Sequence, residues 1–341
     1  MAQHELPQGT FRRAWVRLRS RLGEYPEAVA FISFLLIFAF FALFNEYFLT
    51  PIALANILTF GSIVGIVVIG VAMLMISGEF DLSVGSTFAV ASYVFALSLN
   101  AGIPPLVALL LALVVSLVLG LVNGLIVVGT HIPSFIATLG TMLAYRGIAR
   151  AIGHGKFATY KGPHLRLFDI LNGPLDRLNH LFSPPATFRL SILWFLLIAV
   201  LMSFVLLRTR YGNWTYATGG NAAAARAQGV PVLRVKLINF MLSGFFAGLA
   251  GVIQFAHRTS VDPLRGAGME LIAVAAAVIG GVRLSGGYGT ILGATIGILI
   301  IQMMEQGLVL MQVPVQVFQA FAGLLIIIAV LSNTYLGAFG E

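Results

Sequence analysis

Residues 208–236 read RTRYGNWTYATGGNAAAARAQGVPVLRVK, a polar segment between two long apolar ones. The segment contains five Arg or Lys and no Asp or Glu. Its centre, 221–228, is rich in Ala and is closed by Gly229 and Pro231, which predicts a short helix with a defined end. Most connections between elements have about 4–6 residues, so this segment is longer than a link requires. It is either a small helix that a cytosolic partner grips or a basic loop that only fixes orientation.

The composition sets the class of protein. Of the 341 residues, 59% are apolar and 9% are charged, and the mean hydropathy is +0.98. A soluble domain cannot bury that much apolar surface, so the solvent for most of the chain is lipid. The net charge of +8 does not indicate nucleic-acid binding, because the charges lie between apolar runs rather than on one basic face. The absence of Cys excludes disulfides and thiolate metal sites.

The apolar runs predict an all-α membrane protein, a polytopic bundle of about ten spans that cross about 30 Å of hydrocarbon. The predicted spans are 28–44, 56–76, 82–99, 105–128, 133–152, 190–207, 237–256, 267–282, 288–306 and 315–332. The eighth is the weakest, because its apolar part, Leu271 to Val282, is short. It crosses only if Glu270 is drawn toward the membrane or if the helix is broken.

Charge in the loops predicts the orientation. Residues 1–27 are a basic amino-terminal segment without a small-residue cleavage site, which predicts an uncleaved first span and a cytoplasmic amino terminus. Residues 28–332 form the transmembrane domain, with 208–236 and the tail 333–341 in the cytosol. The loop 153–189 is then external, although it carries five basic residues, so the positive-inside rule is only partly obeyed.

Small residues recur at helical spacing in several spans. Gly61 with Gly65, Gly244 with Gly248, and Gly289, Gly293 and Gly297 each share one helical face. Small residues at this period let helix backbones approach closely in lipid, where no hydrophobic force acts between helices. The pattern predicts dense helix packing and does not by itself indicate transport.

Polar residues also align on single faces of three spans. They are Ser116, Gly120 and Asn123 on the fourth span, Ser134, Thr138, Thr141 and Tyr145 on the fifth, and Ser243, Ala247 and Gln254 on the seventh. Hydroxyls and amides inside a bilayer face either a partner helix or a wet cavity. Interhelical hydrogen bonds explain each face taken singly, whereas three faces together favour a polar pathway through the bundle.

The segment 77–85, SGEFDLSVG, brings two carboxylates, Glu79 and Asp81, to the membrane boundary. Asp81, followed by Leu82 and Ser83, is placed to cap the third span, and the alternative is a role in gating or substrate contact. Acid–base catalysis by the pair is not favoured, because residues i and i+2 of an extended turn point apart. A proton relay through Glu270 or Glu305 is a further alternative, because an acid near a span can carry protons.

Residues 280–287, GGVRLSGG, match residues 78–85, GEFDLSVG, without gaps at four of eight positions. In this alignment Arg283 corresponds to Asp81. Transporters are often built from repeated units, so the match suggests a duplicated element.

Catalytic signatures are missing from the chain. Gly155-Lys156 lacks the upstream Gly and the following Ser or Thr of a nucleotide-binding loop, and HExxH does not occur. The six histidines lie in termini or loops. We therefore predict no catalytic residue, no metal site and no cofactor site in this chain.

Four segments of the sequence carry a resemblance to a known protein family. They are GEFDLSVGS at 78–86, PSFIATLGTM at 133–142, RYG at 210–212 with YATGGNAAAAR at 216–226, and ELIAVAAAVIGG with LSGGYG at 270–281 and 284–289. Together these segments resemble the permease subunits of bacterial ribose-type monosaccharide ABC importers, over residues 50–332. The chain differs from that family's usual pattern in having Glu79 for a Gly and in having Ala222 and Ala223 where the family carries acidic residues.

The resemblance implies an inner-membrane complex with a second permease subunit, a cytosolic ATPase that binds ATP and Mg, and a periplasmic sugar-binding protein. This permease is then not an enzyme, and 215–230 transmits the motion of the ATPase. The residues expected to couple to the ATPase are Gly219, Gly220, Asn221, Ala222, Ala223, Ala224, Ala225, Arg226 and Gly229. The pathway or gating candidates are Glu79, Asp81, Ser83, Asn123, Ser134, Thr138, Thr141, Tyr145, Gln254 and Glu270.

Three other functions compete with this interpretation. A permease for branched-chain amino acids or nucleosides is the nearest, since such permeases are distant relatives of the family. A self-sufficient secondary transporter or channel needs an ionisable relay within the membrane and no ATPase partner. An intramembrane enzyme is not favoured, because the sequence lacks a His or carboxylate cluster within its spans.

Overall fold

The computed structural model describes residues 26–314 and, beyond them, residues 320, 323, 324 and 327. In chain order the elements are α1 (Pro26–Phe44), α2 (Pro51–Ile76), α3 (Val84–Asn100), α4 (Pro105–Thr130), α5 (Ser134–Ile152), β1 (Ala158–Thr159), α6 (Arg166–Asn172), α7 (Asp176–Asn179), α8 (Ser191–Arg208), α9 (Arg210–Gly220), α10 (Ala222–Ala227), α11 (Val232–Arg258), β2 (Ser260–Val261), α12 (Met269–Ile279) and α13 (Ile291–Leu310).

Local sequence signals set several of the helix boundaries. Thr50 precedes α2, and its side chain accepts a hydrogen bond from the amide of Ala53 at 3.3 Å. Proline occupies the first position of α2 and of α4, where its fixed φ suits a helix and no amide is needed. Thr290 caps α13 through the amide of Gly293, at 3.0 Å. These polar and proline stops divide an otherwise continuous apolar sequence into separate helices.

The helices confirm an all-α membrane protein. Among the described residues, α2, α4, α8, α11 and α13 are long and apolar enough to cross a membrane, and residues 28–44, α3 and α12 are shorter apolar helices. Each of the first nine predicted spans contains one described helix. The tenth, 315–332, falls almost entirely outside the described residues, as do 1–25 and the tail 333–341.

The eighth predicted span, 267–282, needs correction. Its helix, α12, has 11 residues and is therefore about 16 Å long. This is about half of the hydrocarbon thickness, so α12 does not cross the membrane as a single helix. The sequence left two ways for this span to cross, with Glu270 drawn toward the membrane or with a broken helix, and the structure has the broken helix.

The connections gather at two ends of the bundle. At one end, here called the junction end, the amide of Gly287 donates to the carbonyl of Ile76 at 2.8 Å. At the other, here called the hairpin end, β1 pairs antiparallel with β2, and Asn100 donates to the carbonyl of Thr159 at 3.0 Å. Segment 209–231 lies at the junction end, and most of 153–190 lies at the hairpin end.

Helix α11 is the centre of the bundle and packs against α4, α2 and α3. A Cβ on Gly244 would lie 3.0 Å from the Cα of Gly120, so α4 and α11 touch backbone to backbone. Gly293 and Gly297 pack in the same way against α12. The predicted close packing is confirmed at these positions, but Gly289 lies in the loop before α13 and shares no helical face with them.

Candidate functional site

The predicted short helix in 208–236 is present as α10. Asn221 has an extended backbone and caps this helix, since its side chain accepts a hydrogen bond from the amide of Ala224 at 3.0 Å. Ala225 is buried, whereas Ala223, Ala224 and Arg226 are exposed. Gly229 ends the segment with a φ of +81°. Helix α10 therefore presents most of its surface outside the bundle.

The structure adds a helix that the sequence analysis missed. Residues Arg210–Gly220 form α9, so Gly219 and Gly220 end one helix rather than only precede the next. Thr209 caps α9 by accepting the amide of Gly212 at 3.3 Å. The Thr at this position was the available signal, and the three glycines within the segment argued against a helix.

Glycine contacts connect α9 and α10 to the bundle. A Cβ on Gly219 would overlap the carbonyl oxygen of Ile76 and the amide nitrogen of Gly287. Gly78 and Gly286, both at positive φ (+86° and +80°), meet nearby, and a Cβ on Gly286 would lie 2.7 Å from the Cα of Gly78. The end of α2, the end of α9 and the loop before α13 thus touch through backbone alone, where side chains do not fit.

The two matched segments, 78–85 and 280–287, lie against each other at this junction. Their helix ends are alike, because Gly78 donates to Met75 at 2.9 Å and Gly281 donates to Val278 at 2.9 Å. Gly78 therefore corresponds to Gly281, one residue away from the ungapped alignment. The predicted equivalence of Asp81 and Arg283 is wrong.

Asp81 is the centre of a buried polar network and is 1% exposed. Its Oδ1 accepts hydrogen bonds from the amide and hydroxyl of Ser83 at 2.9 and 2.7 Å and from Asn123 at 3.2 Å. Its Oδ2 accepts one from Ser243 at 3.0 Å. The predicted cap is wrong, because Ser83 is itself the residue before α3 and Asp81 does not reach the first-turn amides. The carboxylate instead joins the 77–83 loop to α4 and α11.

The polar face of α5 binds the same loop. Ser134 accepts the amide of Phe80 at 3.0 Å, and Thr138 accepts the amide of Leu82 at 3.1 Å. Tyr145 donates to Asn123 at 3.0 Å, and Thr141 donates within the helix to Thr138 at 3.3 Å. In this structure Asn123, Ser134, Thr138 and Ser243, one or two residues from each face proposed to line a pathway, bind the 77–83 loop instead.

Glu79 and Asp81 point to different levels of α11. Glu79 forms an ion pair with Lys236, and the two side chains are 10% and 22% exposed. Asp81 reaches Ser243, which lies two helical turns beyond Lys236, about 10 Å along the axis. The two carboxylates therefore have different partners and do not act as a pair. Lys236 was not among the predicted site residues, although it and Arg234 are charges at the start of an apolar helix.

A groove of about 240 Å³ lies beside α10. The turn between α4 and α5 forms one wall with His131 and Pro133, and α10 forms another with Ala222 and Arg226. The Glu79–Lys236 pair forms its base. The groove combines two cations with one carboxylate at the foot of the exposed helix.

The remaining candidates lie away from the junction. Gln254 is half-buried near the hairpin end of α11. Glu270 is in the first turn of α12, where its Oε1 accepts the amide of Gly268 at 3.1 Å. Within the part of the chain that the structure describes, no group of three His, Asp or Glu is placed to hold a metal ion.

Known proteins are similar in sequence to this chain over most of its length. Residues 53–330 match the family described as the permease component of the branched-chain amino acid transport system. The ribose import permease protein RbsC of Bacillus subtilis is 35% identical over 301 residues, which are 88% of this chain and 90% of RbsC. The autoinducer 2 import system permease protein LsrC of Salmonella typhi is 34% identical over 302 residues, 88% of this chain and 83% of LsrC. LsrC of Photorhabdus laumondii is 32% identical over 289 residues, 84% of this chain and 83% of LsrC. With its apolar helices and these matches, the chain belongs to this family of permease components and is a multi-pass protein of the inner membrane.

Proposed function

We propose that this chain forms the translocation pathway for a monosaccharide in an ATP-driven importer. The partners are a second permease subunit, a cytosolic ATPase that binds ATP and Mg, and a periplasmic sugar-binding protein. The observation that carries the proposal is the placement of α10, which is exposed on the outside and is joined through the end of α9 to the end of α2 and to the loop before α13 by glycine contacts.

The junction end is the cytoplasmic end in this proposal. It contains the basic segment 208–236, and positively charged loops are retained in the cytosol. The chain then crosses the membrane about ten times, with residues 1–27 and 333–341 inside and 153–189 outside. Protease sites inserted in 153–189 and in 208–236 test this orientation, because an added protease cleaves only the loop on its own side of the membrane.

The contacts of α9 and α10 indicate how motion of the ATPase would reach the translocation pathway. A partner that moves α10 moves Gly219 and Gly220, which touch Ile76 and Gly287. The 77–83 loop follows Ile76 in the chain, and its Asp81 is bonded to α4 and α11. Motion at α10 therefore reaches the loop that fills the polar faces, and withdrawal of that loop opens the cytoplasmic half of the path.

The substrate class comes from the relatives. Import of ribose is stated in the name of RbsC, and the described family is named for branched-chain amino acids. Uptake of D-ribose and of L-leucine by the same reconstituted complex separates the two classes. Uptake of leucine without ribose would overturn the sugar proposal.

Replacing Gly219 by Ala tests the coupling. The new Cβ overlaps Ile76 and Gly287, and such overpacking costs about 1–3 kcal/mol, so we expect uptake to fall about tenfold while ATP hydrolysis continues. Gly220→Ala is the matched control, because the nearest atom to its Cβ is the Cα of Gly287 at 3.9 Å.

Two results would contradict the proposal. One is unchanged coupling in Gly219→Ala at full expression of the complex. The other is uphill uptake by this chain alone, without ATP and without the ATPase, which would identify a self-sufficient secondary transporter.

A further inference from the structure

The loop between α11 and α12 turns back into the bundle. At the hairpin end Ser260 and Val261 pair with β1, at the level where Asn100 ends α3. A few residues later the backbone of Gly266 lies against Gly85 and Phe88, in the first turns of α3. The α3 residues between these levels rise about 20 Å. Residues 259–268 therefore descend from the hairpin end deep into the bundle, and we call them the re-entrant loop.

The short helix α12 starts at the bottom of this loop. It runs from Met269 to Ile279 and ends at the junction, where Gly280 packs against Gly293. The re-entrant loop and α12 together replace one continuous span. Irregular backbone at membrane depth is tolerated where it is buried in protein or lines a water-filled cavity.

Four charged side chains meet beside the loop. Arg265 pairs with Asp262 at 2.8 Å, and Arg146 of α5 donates to the carbonyl of Arg265 at 2.7 Å. Glu270 accepts the amide of Gly268 and lies close enough to Arg146 to interact with it electrostatically. Two positive and two negative groups make the set neutral.

This charge cluster is not fully satisfied. Glu270 Oε2 and Arg265 Nε are buried and have no hydrogen-bond partner within the described part of the chain. A charged group at membrane depth is costly and is found where a partner, water or a transported solute meets it. One free position is an acceptor and the other a donor, the two kinds of group with which hydroxyls form hydrogen bonds.

The cluster lies at an open face of the bundle. Leu264 in the loop is 60% exposed, and Ala267 is exposed as well. The neighbouring helix α5 has the length of a span, but it is not among the apolar ones and contains Arg146 and Arg150. Arg146 lies among exposed apolar side chains of α5 such as Leu143 and Ile148, and a guanidinium within a span needs water or a polar partner.

From these contacts we propose that the re-entrant loop, Arg146 and Glu270 form a binding station for a neutral polyhydroxyl solute, midway along its path. The proposal rests on the importer function and names the side chains that the solute meets. Guanidinium groups donate to hydroxyl oxygens and carboxylates accept from hydroxyl hydrogens, so the neutral set binds a polyol without attracting ions.

Thiol labelling tests whether the station is wet, without any substrate. The native chain has no Cys, so Ala267→Cys introduces a single reactive thiol. In the reconstituted complex we expect a membrane-impermeant, charged thiosulfonate to label it at least about tenfold faster than Leu197→Cys, because the thiolate reacts only in water. Leu197 is the control, since it lies 57% exposed on the apolar helix α8. Equal labelling of both thiols would overturn the proposal.

Uptake of D-ribose tests the solute contact. Arg146→Gln and Glu270→Gln should each lower uptake about ten- to hundredfold, the loss expected for one charge-assisted hydrogen bond. ATP hydrolysis stimulated by the binding protein should stay unchanged, and the midpoint of heat unfolding should fall by only about 2–4 °C, since Arg146 also donates to the carbonyl of Arg265. Arg150→Gln, one turn further along α5 and exposed, is the control and should transport normally.

The outcomes separate the station from the importer function. Normal uptake in both variants, or an equal loss in Arg150→Gln, would remove the station. A parallel loss of uptake, hydrolysis and thermal stability would make the cluster a structural element only. A wild-type complex without stimulated hydrolysis would instead contradict the importer function, while the labelling result would still decide whether the loop lines water.

Discussion

Two loops enter the helix bundle, and their polar groups are satisfied very differently. In the 77–83 loop, Asp81 has four hydrogen bonds from Ser83, Asn123 and Ser243 and is sealed from solvent. In the re-entrant loop 259–268 and its surroundings, Glu270 and Arg265 keep buried atoms without a partner in the described structure. One loop therefore closes the bundle at the junction end, and the other leaves hydrogen-bonding capacity free toward the hairpin end.

This difference indicates different functions for the two loops. A closed network adjoining α10 is suited to hold the path shut until the partner moves it. An unsatisfied, charge-balanced cluster is suited to contact the solute. If this division is correct, substitutions at the first loop change stability and gating, and substitutions at the second change transport.

The largest effect is expected from Asp81→Ala. The change leaves Ser83 and Ser243 without their acceptor in a buried site and leaves Asn123 Nδ2 with its bond to the Ser83 hydroxyl alone, and we expect a loss of about 3 kcal/mol of folding free energy. Asp262→Ala is the control from the other loop, where the pair with Arg265 is 21% and 29% exposed and its removal should cost no more than about 1 kcal/mol. The midpoint of heat unfolding of the purified complex measures both. Equal losses at the two positions would contradict the view that only the 77–83 loop is a closed network.

A smaller effect is expected at the ion pair between Glu79 and Lys236. Its side chains are mostly buried, so a double-mutant cycle of Glu79→Gln and Lys236→Gln should give a coupling free energy of about 1 kcal/mol. The same cycle on Asp262 and Arg265 should give less, since that pair is more exposed. Heat unfolding supplies the four free energies of each cycle. A larger coupling at the second pair would contradict the view that the junction end is the sealed one.

Local signals explain which parts of this structure the sequence predicts. Helix α10 follows from its alanines, from Asn221 as a cap and from Gly229 as a stop, all within nine residues. Helix α9 does not, because Gly212, Gly219 and Gly220 lower its helix propensity, and only close contacts explain them: Gly212 with Leu206, and the other two with Ile76 and Gly287.

Long-range partners explain the remainder. Asp81 stands out in the sequence as a carboxylate between spans, but Ser243 is 162 residues away and its pairing with Asp81 depends on how α11 is placed. The re-entrant loop leaves one trace, an eighth apolar run that is too short to cross. Its depth becomes visible only from the contact between Gly266 and Gly85.

The smallest effect is expected at the outer edge of the junction, where Asn221 caps α10. Asn221→Ala removes the acceptor for the amide of Ala224, and loss of such a cap costs about 1 kcal/mol. Because α10 has only six residues, this cost should appear as fraying, with amide exchange at Ala224 about fivefold faster. Asn213→Ala is the control, an exposed Asn within α9. Faster exchange that spreads to Gly287 would show that the cap stabilises the whole junction, whereas exchange unchanged at Ala224 would mean that α10 is held by its contacts with the bundle rather than by its own cap.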